Sequence, residues 1–146
     1  MIGMIRRMGK GQVSVELLVV MGIVMILVLP SLFSVYFRIN RANEQLSVNQ
    51  ADMAATRIAN TISLVGAASG SSLISQVIMP SNVKNVRIAD NEVVITLQTQ
   101  NGVTSIVKST PYNASVPQDS LKRMMRPGTY MLEIESNDAG VFGKLA

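Results

Sequence analysis

The chain of 146 residues contains no histidine, no cysteine and no tryptophan. Each absence removes a class of chemistry. Without imidazole or thiol there is no Ser-His or Cys-His nucleophile pair, no zinc site built from the usual nitrogen and sulfur ligands, no ordinary haem ligand and no disulfide. Charged residues make up 15% of the chain, where an average soluble domain has roughly 25%. The carboxylates are scattered, and the sequence holds no P-loop, no HExxH pair, no GxGxxG after a strand and no Asp-rich metal loop. The expectation is a protein that is not an enzyme and uses neither metal nor cofactor.

What the chain does have is one long apolar run. From Leu17 to Phe37 it reads LLVVMGIVMILVLPSLFSVYF without a charge, between Glu16 and Arg38. As a helix rising about 1.5 Å per residue this run is roughly 31 Å long, the thickness of a bilayer's hydrocarbon core. A cleaved secretory signal needs a shorter apolar core followed by small residues, whereas here Leu32, Phe33, Val35, Tyr36 and Phe37 follow. The run therefore reads as a retained transmembrane helix. Arg6, Arg7 and Lys10 precede it with no acid among them, while Arg38 and Arg41 beyond it are soon offset by Glu44 and Asp52. That asymmetry predicts a cytoplasmic N-terminus and an extracytoplasmic remainder. Pro30 lies inside the run and predicts a bend or a loosened turn near Val28. Met21 and Met25 read as adaptable packing. With residues 1–11 set aside, 10 basic residues face 9 acidic ones. The exposed part thus lacks the positive footprint of a nucleic-acid binder, and none is expected as a partner.

Immediately before the run stands Lys10-Gly11-Gln12-Val13-Ser14-Val15-Glu16. By local physics, Ser14 reads as a helix N-cap and Glu16 as a first-turn carboxylate favoured by the helix dipole. A carboxylate abutting a membrane helix is nevertheless expensive and usually has a partner. The stretch Gly11-Gln12-Val13-Ser14-Val15-Glu16, with a short basic leader before it and a long apolar helix after it, resembles the class III signal peptide of archaeal type IV pilin-like proteins. In that family the pattern is Gly followed by Q-x-S-x-E-x-x-x-L, cut between Gly and Gln by a membrane-embedded prepilin peptidase. Bacterial tight-adherence pseudopilins share a Glu before an apolar helix.

The resemblance implies that Gly11 ends the leader, Gln12 begins the mature chain, and Ser14 and Glu16 are its third and fifth residues. Val20 stands where the pattern has Leu. It further implies a prepilin peptidase, identical or related subunits, the membrane and the pilus assembly machinery as partners. The product would be a surface filament for adhesion, in which Glu16 pairs with the α-amine at Gln12 of a neighbour. The precursor would sit in the cell membrane with its head outside, and the mature form in the filament. A second expectation, from a different class, is a membrane-anchored extracytoplasmic binding module that does not polymerise.

The chain divides into a leader (1–11), a long helix (12–67) with an apolar part (17–37) and an amphipathic part (38–67), and an extracytoplasmic β-rich head (71–146). In the amphipathic part Val48, Ala51, Ala55, Ile58, Ile62 and Val65 recur at spacings of 3 and 4 and make one apolar stripe. Asn49, Asp52, Arg57 and Asn60 take the opposite face, and Gly66 with Gly70-Ser71-Ser72 is the expected stop. Beyond it the period becomes 2: Val86 and Ile88, then Val93, Ile95 and Leu97, then Val103, Ser105 and Val107. Asn101-Gly102 predicts a type I′ hairpin. Thr129 to Glu135 and Val141 to Leu145 read as further strands, giving a mostly antiparallel sheet of four to six strands. The expected fold is α+β, a type IV pilin-like long helix with a small antiparallel head. Ser109 to Gly128 is a long connection carrying Pro111, Pro117, Pro127, the sequon Asn113-Ala114-Ser115 and the cluster Lys122-Arg123-Met124-Met125-Arg126. The sequon marks Asn113 as a possible N-glycosylation site. The basic cluster reads as a solvated helical turn.

Overall fold

A computed structural model describes residues 8–146, with side-chain surroundings from Ser14 onward. The leader residues Arg6 and Arg7 lie outside the described residues. The fold is α+β: helix α1 (Met8–Ala67), strands β1 (Ser72–Met79), β2 (Val83–Ala89), β3 (Glu92–Thr99), β4 (Gly102–Ser109) and β5 (Ala114–Ser115), helix α2 (Gln118–Met124), then β6 (Gly128–Asn137) and β7 (Gly140–Leu145). Two compact units divide between Ala42 and Asn43, so α1 from Asn43 onward belongs with the strands and residues 38–42 with the apolar part.

The strands form two sheets, where the periodicity alone led to one. A four-stranded sheet has the order β1-β6-β7-β5, and a three-stranded meander the order β2-β3-β4. Pro80, buried directly after β1, cannot donate to a ladder, and the chain turns at Ser81-Asn82 before β2 begins. β1 pairs instead with β6, antiparallel from Ser72↔Glu135 to Met79↔Gly128. The two-residue β5 runs parallel to β7.

The predicted helical stripe is the keel of the core. Ala51, Ala55, Ile58 and Ile62 are fully buried, Val65 nearly so, and Val48 packs partly buried against them. Ala54 and Ala59 join the stripe, so small residues let the helix lie close to the strands. Facing them are Val93, Ile95 and Leu97 of β3, Val77 and Met79 of β1, and Leu132 and Ile134 of β6. Polar contacts tie the helix to both sheets. Lys108 Nζ of β4 meets Asp52 Oδ1 at 2.8 Å. The backbone N–H of Gln100 donates to Glu44 Oε1 at 3.0 Å, and Arg57 Nη1 donates to the Gln76 carbonyl of β1 at 3.1 Å.

Three local expectations are corrected. The positive-φ pair expected at Asn101-Gly102 occurs instead at Asp90 and Asn91, with φ of 55° and 61° between the paired Ala89 and Glu92. These are the values a type I′ turn requires. The β3–β4 hairpin does form, but Thr99 pairs with Gly102 and the loop is Gln100-Asn101. Ser105 stands opposite Thr96 and Ile106 opposite Ile95, so Val103, Ser105 and Val107 lie on the outer face with Thr96. Finally, Gly66 does not stop α1, which continues to Ala67. Its missing side chain makes room for the Tyr112 ring, which a Cβ at this position would overlap. Past Ala67 the Ala68 N–H and the Ser71 hydroxyl both donate to the Val65 carbonyl at 3.2 Å, and Gly70, at φ 79°, turns its N–H to the Ser136 carbonyl at 3.0 Å.

Two measurements test this packing. A fragment of residues 43–146 should unfold cooperatively in urea, whereas residues 71–146 alone should show no cooperative transition; equal midpoints would mean that the helix stripe does not hold the strands. Gly66→Ala should destabilise the chain by about 1–3 kcal/mol, the range for overpacking. Most of that loss should vanish when Tyr112→Ala is combined with it in a double-mutant cycle.

Candidate processing and assembly segment

Gly11 and Gln12 lie within α1, which is already helical at Met8. Ser14 therefore cannot be an N-cap, and Glu16 is not in the first turn, which holds no acidic residue. The expected cap fails because the helix runs through Gly9 and Gly11, residues whose cost is only about 1 kcal/mol each in a helix interior. Ser14 and Glu16 are both exposed, and Glu16 takes part in no ion pair among the described residues. The dipole argument for Glu16 is thus lost, and among the described residues no charged partner compensates this carboxylate at the mouth of an apolar helix.

From Leu17 to Phe37 every large apolar side chain is exposed, between 44% at Val28 and 71% at Ile26. A helix apolar on all sides has no polar face to turn to water and is stable only inside a membrane or among other helices. The helix is long and apolar enough to cross a membrane. It runs unbroken through Pro30. Proline removes the N–H that the Ile26 carbonyl would accept. One residue on, the Ser31 hydroxyl donates to the Leu27 carbonyl at 3.0 Å, a local bond that keeps a polar group satisfied within the run.

Elsewhere, potential chemistry is dispersed. Among the described residues no group of three metal-ligating side chains occurs. A shallow cavity of about 320 Å³ is lined by Ser115, Pro117, Glu135, Phe142, Gly143 and Lys144. Lys144 Nζ is committed to Glu133 at 3.4 Å. A second hollow of about 250 Å³ lies between α1 and β1, lined by Gln50, Met53, Ala54, Arg57 and Ile78. Asn113 is exposed just before β5, and its sequon partner Ser115 is exposed within that strand. The basic cluster belongs to the end of α2: Leu121 and Met124 are buried, while Lys122, Arg123 and Arg126 face solvent. The Tyr130 hydroxyl donates to the Arg123 carbonyl at 2.6 Å and closes the helix end. The sequence places Tyr130 on one strand face with Leu132 and Ile134, but it shows neither the Tyr130 hydroxyl bond nor the place of Tyr112, because a hydroxyl on a carbonyl and a ring on a glycine leave no spacing signal.

Compared with protein-family models, curated proteins and solved structures, the chain matches none of them.

Proposed function

We propose that this chain is a prepilin: the structural subunit of an archaeal type IV pilus-like surface filament. A prepilin peptidase cuts it after Gly11, and its N-terminal helix assembles it with identical or related subunits through the pilus machinery. One observation carries the reading. Gly11-Gln12-Val13-Ser14-Val15-Glu16 runs without interruption into a helix whose apolar surface is exposed on every side. Cleavage removes Arg6, Arg7 and Lys10, the residues that hold the N-terminus on the cytoplasmic side, and creates an α-amine at Gln12. The apolar helices of successive subunits then bury one another in the filament core. Glu16 pairs with the Gln12 amine of a neighbour, so both charges enter the apolar bundle neutralised. Such a pair selects register, because a buried charge left alone costs about 3–5 kcal/mol. Surface adhesion is the role that fits a filament carrying a small exposed head.

The N-terminal sequence of the protein recovered from its native membrane or filament fraction tests the processing step. A chain starting at Gln12, free or cyclised, is expected; an intact leader would leave an unpolymerised membrane-anchored binding module. The assembly step has its own test. Glu16→Gln should still be processed and inserted, yet electron microscopy should show filaments reduced at least tenfold, as an uncompensated amine of several kcal/mol per contact demands. Filaments at normal abundance would remove the pairing role.

A further inference from the structure

We propose that the open edge of β4 is a docking edge for a second copy of this chain, and that two heads join through antiparallel pairing of their β4 strands centred on Ser105. This goes beyond filament assembly and holds whether the chain polymerises or stays singly anchored.

Exposed sheet edges are normally blocked, because an unpaired row of N–H and C=O groups is a template for another strand. Three of the four edges here carry a block. On β1 the Arg57 guanidinium covers the Gln76 carbonyl. β5 has two residues, and β2 carries an irregularity between Val83 and Asn85. β4 has no such device: it runs for eight residues without proline or a register shift against β3. Its one charge, Lys108, is drawn onto Asp52. Val103 and Val107 are 55% and 50% exposed.

The direction of the free backbone groups follows from the hydrogen bonds that are made. Thr110 N–H donates to the Asn91 carbonyl at 2.7 Å, continuing the β3–β4 ladder, and Gln98 N–H turns the other way, to Asn82 at 2.8 Å. Ladder groups alternate along an antiparallel strand. Thr104, Ile106 and Lys108 therefore address β3, and the N–H and C=O groups of Val103, Ser105 and Val107 address open space.

The sequence of that edge, Val103-Thr104-Ser105-Ile106-Val107, is nearly the same read in either direction. Antiparallel pairing centred on Ser105 sets Val103 against Val107 of the second copy, Ser105 against Ser105, and Thr104 against Ile106. Lys108 falls opposite Gly102, so no like charges meet. Shifting the register by two residues sets the valines against polar side chains instead. Cross-strand apolar pairs stabilise and opposed like charges destabilise, so the centred register is selected. The contact is two-fold symmetric. It cannot repeat between subunits that point the same way along one filament, and so it joins heads from separate filaments or separate anchors.

The native chain has no cysteine, so Ser105→Cys introduces a single thiol into the full-length protein in detergent micelles. Directly paired residues place their Cα atoms about 5.5 Å apart, within the span of about 4.4–6.8 Å that a disulfide bridges. Mild oxidation should give roughly tenfold more disulfide dimer from Ser105→Cys than from Ser109→Cys, whose thiol meets position 101 of the other copy rather than its own counterpart. Adding Val103→Pro to Ser105→Cys removes an outward N–H only, a change that edge strands tolerate. It should leave the circular dichroism spectrum unchanged and return the yield to the Ser109→Cys level. Equal yields at 105 and 109, or a yield undiminished by Val103→Pro in a folded chain, would overturn the proposal.

Discussion

The burial of one face of α1 beneath two sheets is the constraint on which the rest of the head depends. Neither sheet closes on itself, the chain has no cysteine for a disulfide, and among the described residues no group of three metal-ligating side chains could staple it. A sheet of three or four strands needs a covering layer to be stable. The layer is the run Ala51 to Val65, which reaches strands of both sheets at once. Each fully buried isoleucine of that run is worth about 1.5–3 kcal/mol of transfer free energy. The alanines between them contribute closeness more than area. The ion pair of Asp52 with Lys108 is half-exposed and worth little by itself. Together with the Glu44 and Arg57 contacts, its effect is to fix which turn of the helix meets which strand.

Up to Phe37 the same helix presents the opposite composition. The head-side half has one apolar face with polar residues opposite, and the apolar run has no polar face at all. The first arrangement is satisfied within one chain. The second is not, and a bilayer or other helices must supply the missing surroundings. The pilin-like reading is attractive because it gives both environments in succession, membrane before assembly and helix bundle after it. It also gives Glu16, which the structure leaves exposed and unpaired among the described residues, a partner that exists only after cleavage.

The helix stripe was legible in the sequence because its signal is a period: residues at spacings of 3 and 4 must share a face, and Ala51, Ala55, Ile58, Ile62 and Val65 of that pattern are buried, with Val48 partly so. The strands of β3 and β6 were legible for the same reason, with Val93, Ile95 and Leu97 and then Leu132 and Ile134 all inside. β4 shows where this logic ends. Alternation establishes that Val103, Ser105 and Val107 share a face but not which face, and their pairing with Gln98, Thr96 and Val94 sets them on the outer one. The division into two sheets depended on Pro80 and on β1 pairing with β6, distant in sequence, a contact that no local pattern encodes. Before the apolar run, the absence of a cap at Ser14 was not legible. Helix propensity at Gly9 and Gly11 argues against the continuation that occurs.

The position of the core along the chain bears on how such a protein could be cut and still work. The first core residue is Ala51. A cleavage after Gly11 removes nothing that the head needs, and so the proposed maturation can change the N-terminus from a basic leader to a free amine without touching stability. A cut between the apolar run and Ala51 would release a head with its keel intact. A cut within Ala51 to Val65 would divide the stripe and separate the sheets from their cover. In the proposed maturation, processing, anchoring and head stability therefore occupy successive, separable stretches of one helix. Under that proposal a charge change at residue 12 would govern assembly while the strands beyond Ser72 remained folded throughout.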